Sequence, residues 1–295
     1  MKKFLSICLG LCLIATCANA QILWKISGNG LTQPSYVIGT HHFAPLSIKD
    51  SIGGLQAAID ATTQVVGELN MMEIQNPAIM QMMQKMIVTD TDTTLQSLFT
   101  PEEYQMVREC VKENLKFDVD MMPKAKPSFL LNNLVVMLYM KYVHDYNPME
   151  QLDTSFQIEA NAKGKKIIAL ETPEFQFNLL YNSASLKRQA ELLLCQLNNT
   201  EKVVAQSKEL TVRYMNQDLE GLLKLAEERI NDQCDPLPGE MEAMIDHRND
   251  AWTKKLPAIM KSAPTFVVVG ALHLPGENGL LNLLKKQGYI VEAVR

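Results

Sequence analysis

The stretch Ser35-Tyr36-Val37-Ile38-Gly39-Thr40-His41-His42 decides the fold, because Thr265-Phe266-Val267-Val268-Val269-Gly270-Ala271-Leu272-His273 matches it near the other end of the chain. Each is a β-branched run that stops at Gly-x-x-His. Each therefore sets an imidazole just past the carboxyl end of a strand, where open α/β sheets collect ligand and catalytic groups. Two such histidines, separated by most of the 295 residues, imply one shared site.

Working outward from the first copy, Ile22-Leu23-Trp24-Lys25-Ile26-Ser27 alternates and meets the turn Gly28-Asn29-Gly30, so a hairpin opens the fold. A helical stretch from about Ile52 to Ala61 leads to the β-rich run Gln64-Val65-Val66-Gly67-Glu68-Leu69. Strand, helix and strand in so few residues make a βαβ unit with parallel strands. The second copy repeats the plan, with a helix from about Asn278 to Gln287 and a final strand Tyr289 to Val294. A further strand, Lys166-Ile167-Ile168-Ala169-Leu170, runs straight into Glu171-Thr172-Pro173.

Everything between reads as helix. The Met-rich segment 76–88 and the segments 101–115, 127–146, 173–181, 185–197, 201–216, 219–231 and 239–261 carry apolar residues at three- and four-residue spacing. No low-complexity linker divides them. The expectation is α/β: two βαβ units forming a central mixed sheet, with a large helical cap inserted at about 75–262.

Composition bounds what this fold can do. An apolar content of 47% supports one large core or two modest ones. Lys2 and Lys3, the apolar run from Phe4 to Ala15, and Ala18-Asn19-Ala20 have the charged start, apolar middle and A-x-A exit of a secretory signal peptide over residues 1–20. The expected product is exported, periplasmic or secreted. A rival exit would lipidate Cys17, but Thr16 fits poorly the small residue expected before a lipidated cysteine. No later stretch is long and apolar enough to span a bilayer. Removal of the signal leaves Cys110, Cys195 and Cys234, of which Cys195 and Cys234 could pair across a helical hairpin. It also leaves 26 basic against 33 acidic side chains, a balance that argues against nucleic acid as a partner.

Three residues converge if the two units share a sheet: His42, Glu68 and His273, each just past a strand. Two imidazoles, one carboxylate and an open position make the plan of a catalytic zinc or related divalent site. Each member also has a plainer reading, His42 as a loop residue and Glu68 as an end-of-strand charge. An ionised Glu68 after Val65-Val66-Gly67 is nevertheless expensive to bury without a metal or a donor. His41 adjoins His42 and must point the other way on an extended chain. Glu171 stands like Glu68 and reads as a ligand, a general base or a polar helix entry. Glu292 resembles Glu68 in the second unit, with a surface role. His144 reads as structural. Arg248 and Asn249 are candidate substrate-binding residues, Arg248 holding a carboxylate or pairing with Asp246 or Asp250 on the surface. The methionines read as adaptable packing, or as a face that grips an apolar substrate.

Gly39-Thr40-His41-His42, Val66-Gly67-Glu68-Leu69, Leu170-Glu171-Thr172 with Gln176, Arg248-Asn249 and Gly270-Ala271-Leu272-His273 together resemble the TraB family, which includes the PrgY, GumN and TIKI proteins. The resemblance spans nearly the whole mature chain. It implies an erythromycin-esterase/ChaN-like fold and, through the TIKI branch, a divalent-metal-dependent protease in which His42, Glu68 and His273 hold zinc, manganese or cobalt. His41 in the usually apolar motif place, and His247 before Arg248-Asn249, depart from the family pattern. Two functions stand: a metal-dependent hydrolase of peptide or protein substrates, and a non-catalytic exported binder of haem, peptide or another small ligand. A homodimer is left open.

Overall fold

The structure, a computed structural model, describes residues 21–143, 146–229 and 233–295. The expected signal segment with Cys17, His144 and the Asn231 end of one expected helix lie outside them. In chain order the elements are β1 (Leu23–Gly28), β2 (Ser35–Thr40), α1 (Leu55–Asp60), β3 (Gln64–Gly67), α2 (Pro77–Met86), α3 (Pro101–Leu115) and α4 (Pro127–Tyr142). There follow α5 (Leu152–Ala162), β4 (Lys166–Ala169), α6 (Pro173–Asn182), α7 (Leu186–Asn198), α8 (Thr200–Met215) and α9 (Leu219–Glu227). The chain closes with α10 (Glu240–Met244), α11 (Asp246–Ser262), β5 (Thr265–Gly270), α12 (Leu280–Lys286) and β6 (Tyr289–Ala293).

The six strands form one sheet in the order β4-β3-β5-β2-β1-β6, parallel from β4 to β2, with β1 antiparallel to both its neighbours. The mixed sheet expected from the sequence is present. β5, Thr-Phe-Val-Val-Val-Gly, lies between β2 and β3, and its buried apolar run is that of a parallel strand covered on both faces. From β2 the chain crosses to β3 on one side of this pair, and from β5 it crosses to β6 on the other. Right-handed crossovers running in opposite directions put α1 and α12 on opposite faces, so β2 and β5 flank the point where the strand order reverses. Lys163 ties α5 to α1 through Asp60, and Gln287 ties the end of α12 to the Thr253 carbonyl of α11.

The main core runs through β1, β2, β3, β5, α1, α5, α11 and α12 and includes Trp252, Leu256, Phe156 and Phe266. A second cluster of Val107, Val111, Leu130, Leu134 and Leu193 joins α3, α4 and α7. Within the 75–262 stretch, α5, β4 and α11 thus belong to the sheet and its covering layers, while α3, α4 and α7 build a core of their own. The Met-rich α2 buries none of its residues.

Two differences from the sequence reading concern helices. Leu152–Ala162 is a helix that the reading left out, although Leu152, Phe156 and Ala160 make a buried stripe at four-residue spacing. The single helix expected over 239–261 breaks at Ile245, which leaves φ −124° and ψ −67° between α10 and α11. Cys195 and Cys234 form a disulfide with Cα atoms 5.6 Å apart, and Cys110 is free. None of the described helices is long and apolar enough to cross a membrane.

Candidate active site

Three strand ends meet at the reversal point. His42 follows β2, Glu68 follows β3, and His273 follows β5 on a single 3-10 turn, Ala271–His273. The two Gly-x-x-His segments lie against each other. A Cβ on Gly39 would come within 2.9 Å of the Ala271 Cα and 2.8 Å of Leu274 Cδ1, so only glycine lets β2 run this close to the His273 turn. At Gly67 a Cβ would meet Gln157 of α5, whose amide donates to Leu69 O and accepts from Met71 N. The glycines of the motifs serve close approach of backbone to backbone and of helix to strand.

Arg248 organises the interior of the site. It is 6% exposed, as is Glu171, and all five of its N–H groups are used. Nε and Nη2 donate to Glu171 Oε1 and Oε2 at 2.8 and 2.9 Å, a bidentate pair. Nη2 also donates to Glu68 Oε2 at 2.5 Å, and Nη1 donates to Met244 O and to His273 Nε2 at 3.0 and 3.1 Å. The break at Ile245 is what leaves the Met244 carbonyl available to this side chain. Arg248 therefore pairs with neither Asp246 nor Asp250, and it keeps no donor for a substrate carboxylate.

Glu171 accepts four hydrogen bonds, two from Arg248 and one each from Trp252 Nε1 and Gln176 Nε2. Of the roles weighed for it, holding Arg248 fits this geometry; a general base needs a free oxygen. Glu68 is 20% exposed and accepts from Gly270 N–H at 2.8 Å, from Arg248 and from Gln176.

His273 is buried and packs against Trp252, ring centroids 4.3 Å apart with the planes tilted by 42°. Its tautomer follows from its partners. Asn249 Nδ2 donates to the His273 and Asn278 carbonyls, so Asn249 Oδ1 accepts from His273 Nδ1 at 2.8 Å. Nε2 is left with a lone pair, which faces Arg248 Nη1 and lies 4.0 Å from Glu68 Oε1. Burial pushes this imidazole down to about 4, against the pull of Glu68 and with the help of Arg248, so it is neutral at neutral pH. Asn249 is thus an anchor for His273.

His42 lies at the mouth, its side chain 66% exposed, with Nδ1 3.3 Å from Asp153 Oδ2. The Asp153 carboxylate beside it pushes its pKa up to about 9, and Glu68 adds to this. His42, Glu68, Asp153, Gln157, Gln176 and Met71 line a cavity of about 70 Å³. Beyond the Arg248–Glu171 pair a larger cavity of about 470 Å³ opens between Asn70, Phe175, Trp252 and Lys255. His41 points away: its Nε2 meets Thr211 Oγ1 at 3.0 Å among Phe43 and Tyr214. Burial, aided by the charge of His42, lowers it to about 4. Glu292 is on the edge strand β6, paired with Lys25 at 3.9 Å, and His247 is exposed.

Compared with known families, residues 22–293 match the TraB/PrgY/gumN family. The chain belongs to that family. No curated protein and no solved structure matches it. Every motif quoted for the resemblance lies within the matched residues, and most of them meet at this one site. Sequence reasoning missed Asp153 and Gln157, both on α5. Their signal was the stripe of Leu152, Phe156 and Ala160, which would have put Asp153 and Gln157 together one turn apart on the helix.

The donor types, two imidazoles and one carboxylate, suit a divalent ion of borderline softness; His42 and Glu68 line the small cavity, and His273 Nε2 lies 4.0 Å from Glu68 Oε1. Among the described residues, however, no three of the His, Cys, Asp and Glu side chains stand as a formed metal cage. Arg248 Nη1 occupies the His273 lone pair, so ligation by His273 requires that contact to open.

Proposed function

We propose that the chain is an exported divalent-metal-dependent hydrolase acting on peptide or protein substrates, built on an erythromycin-esterase/ChaN-like sheet. His42, Glu68 and His273 are the residues that would hold the metal, whether zinc, manganese or cobalt. The observation that carries this reading is the tautomer of His273: its Nδ1 proton is fixed by Asn249, which leaves on Nε2 a lone pair, met by Arg248 Nη1 and 4.0 Å from Glu68 Oε1, for a metal to take once the Arg248 contact opens.

A metal there would polarise a scissile carbonyl and supply a nucleophilic water at neutral pH. The chain's own residues do the rest. Gly270 N–H and Gln176 fix the Glu68 carboxylate at the small cavity, which it lines together with Asp153, and Glu68 is the group that would take a proton there. Arg248, immobilised by Glu171, holds the Glu68 carboxylate in place and offsets part of its charge, without meeting the substrate itself. The larger cavity beyond Arg248 gives room for the substrate chain on one side of the scissile bond.

The test is peptide-library hydrolysis by the purified mature chain. Cleavage abolished by a chelator and restored by zinc, manganese or cobalt is the expected result. Cleavage that survives exhaustive chelation, or a haem absorption band on a chain without hydrolytic activity, contradicts the proposal.

A further inference from the structure

We propose that Asp153 is the positioning residue of His42, a carboxylate that fixes the Nδ1 proton and turns Nε2 into the cavity beside Glu68. The proposal rests on the reading above for what His42 then does, but not for the Asp153–His42 pairing itself.

Asp153 is brought to the site by α5, far in sequence from both histidine motifs. Its Oδ1 accepts from Thr40 Oγ1 at 2.7 Å, which ties the carboxylate to the last residue of β2, two positions before His42. Its Oδ2 is buried and accepts no well-aligned hydrogen bond from any described residue; the group facing it is His42 Nδ1. A buried carboxylate oxygen left without a partner is costly, so this oxygen needs the imidazole as much as the imidazole needs it.

The second Gly-x-x-His gives the independent argument. There, too, a helix outside the strand pair supplies a side-chain oxygen to Nδ1: α11 brings Asn249 to His273 as α5 brings Asp153 to His42. His273 is also gripped by burial and by Trp252. His42 is largely exposed and has no comparable packing, so Asp153 is what decides its ring orientation. A carboxylate can only accept from Nδ1–H. An amide in its place can donate to Nδ1 and force the proton onto Nε2, the nitrogen that must be bare to bind a metal.

The experiment uses the mature chain and its Asp153→Asn variant, with Asp153→Glu and His42→Ala alongside. Long-range proton–nitrogen NMR of the metal-free protein at about pH 10, where the ring is neutral, should find His42 protonated on Nδ1 in the parent and on Nε2 in Asp153→Asn. Zinc affinity should fall roughly 10–100-fold in Asp153→Asn, the usual cost of losing a group that orients a ligand, and recover in part in Asp153→Glu. In a His42→Ala background, where little zinc binding is left to lose, the cycle is read in urea unfolding: any stability loss caused by Asp153→Asn should vanish there, which a merely structural role would not produce. An unchanged His42 tautomer, or an Asp153→Asn loss that persists without His42, overturns the proposal. If the parent binds no zinc, the metal reading fails, and the tautomer comparison still decides the role of Asp153.

Discussion

Arg248 has no spare donor, and this makes its surroundings sensitive to single substitutions. Arg248→Lys keeps a charge but cannot reproduce the bidentate pair with Glu171 or reach Glu68, His273 and Met244 at once. A loss of about 3 kcal/mol is expected in urea unfolding, because two carboxylates lose their fixed partner in a largely buried setting. A loss under about 0.5 kcal/mol would show that the network contributes little. The two glutamates should separate. Glu68→Gln should weaken metal binding, whereas Glu171→Gln should retain the metal and lower stability and turnover together, as read by zinc titration beside urea unfolding. The reverse pattern would exchange their roles. At this scale the sequence was legible in the placing of residues after strands: His42, Glu68 and His273 each follow a strand of the one sheet, as their spacing implied. Asp153 was not legible, because a lone aspartate on a helix carries no sign of which distant loop it meets.

Among the elements, the strands and most helices were readable from periodicity and caps: α3 begins at Thr100 with a complete capping box and covers the expected 101–115. Less readable were α5 and the Ile245 break, since both answer to tertiary needs, one to cover β3 and β4, the other to free the Met244 carbonyl for Arg248. Gly39 is an element-level constraint as well. Gly39→Ala should cost about 1–3 kcal/mol, the usual range for overpacking, since the Ala271 backbone cannot move away without shifting His273. A neutral result in thermal unfolding would mean that β2 and the His273 turn are not rigidly apposed. The Cys195–Cys234 bond closes a separation of 39 residues, and opening it by Cys195→Ala with Cys234→Ala should cost up to about 4 kcal/mol on loop entropy. Alkylation of both cysteines in native, unreduced protein would rule the bond out.

For the whole molecule, three histidines give stability a pH profile. His41 and His273, lowered to about 4 from 6.5, stabilise the fold fully above pH 6.5, and this is lost as pH falls toward 4 because the unfolded chain takes up their protons. His42, raised to about 9, acts in the other sense: its contribution is full below pH 6.5 and is lost as pH rises through 9. Metal-free protein should therefore be most stable near pH 6.5, with the alkaline limb the shallower because His42 is exposed. His42→Ala should flatten that alkaline limb in urea midpoints taken at several pH values; a limb that stays in the variant would place its origin elsewhere.

The central claim is that the two ends of the chain build one metal site at the reversal of the strand order. It is tested most directly by elemental analysis of purified mature chain loaded with zinc and desalted, beside His42→Ala and His273→Ala with their folds checked by circular dichroism. The account predicts about one ion per parent chain and a large loss in each variant, with the helical spectrum retained. Equal metal content in all three proteins, or none in the parent, would contradict it.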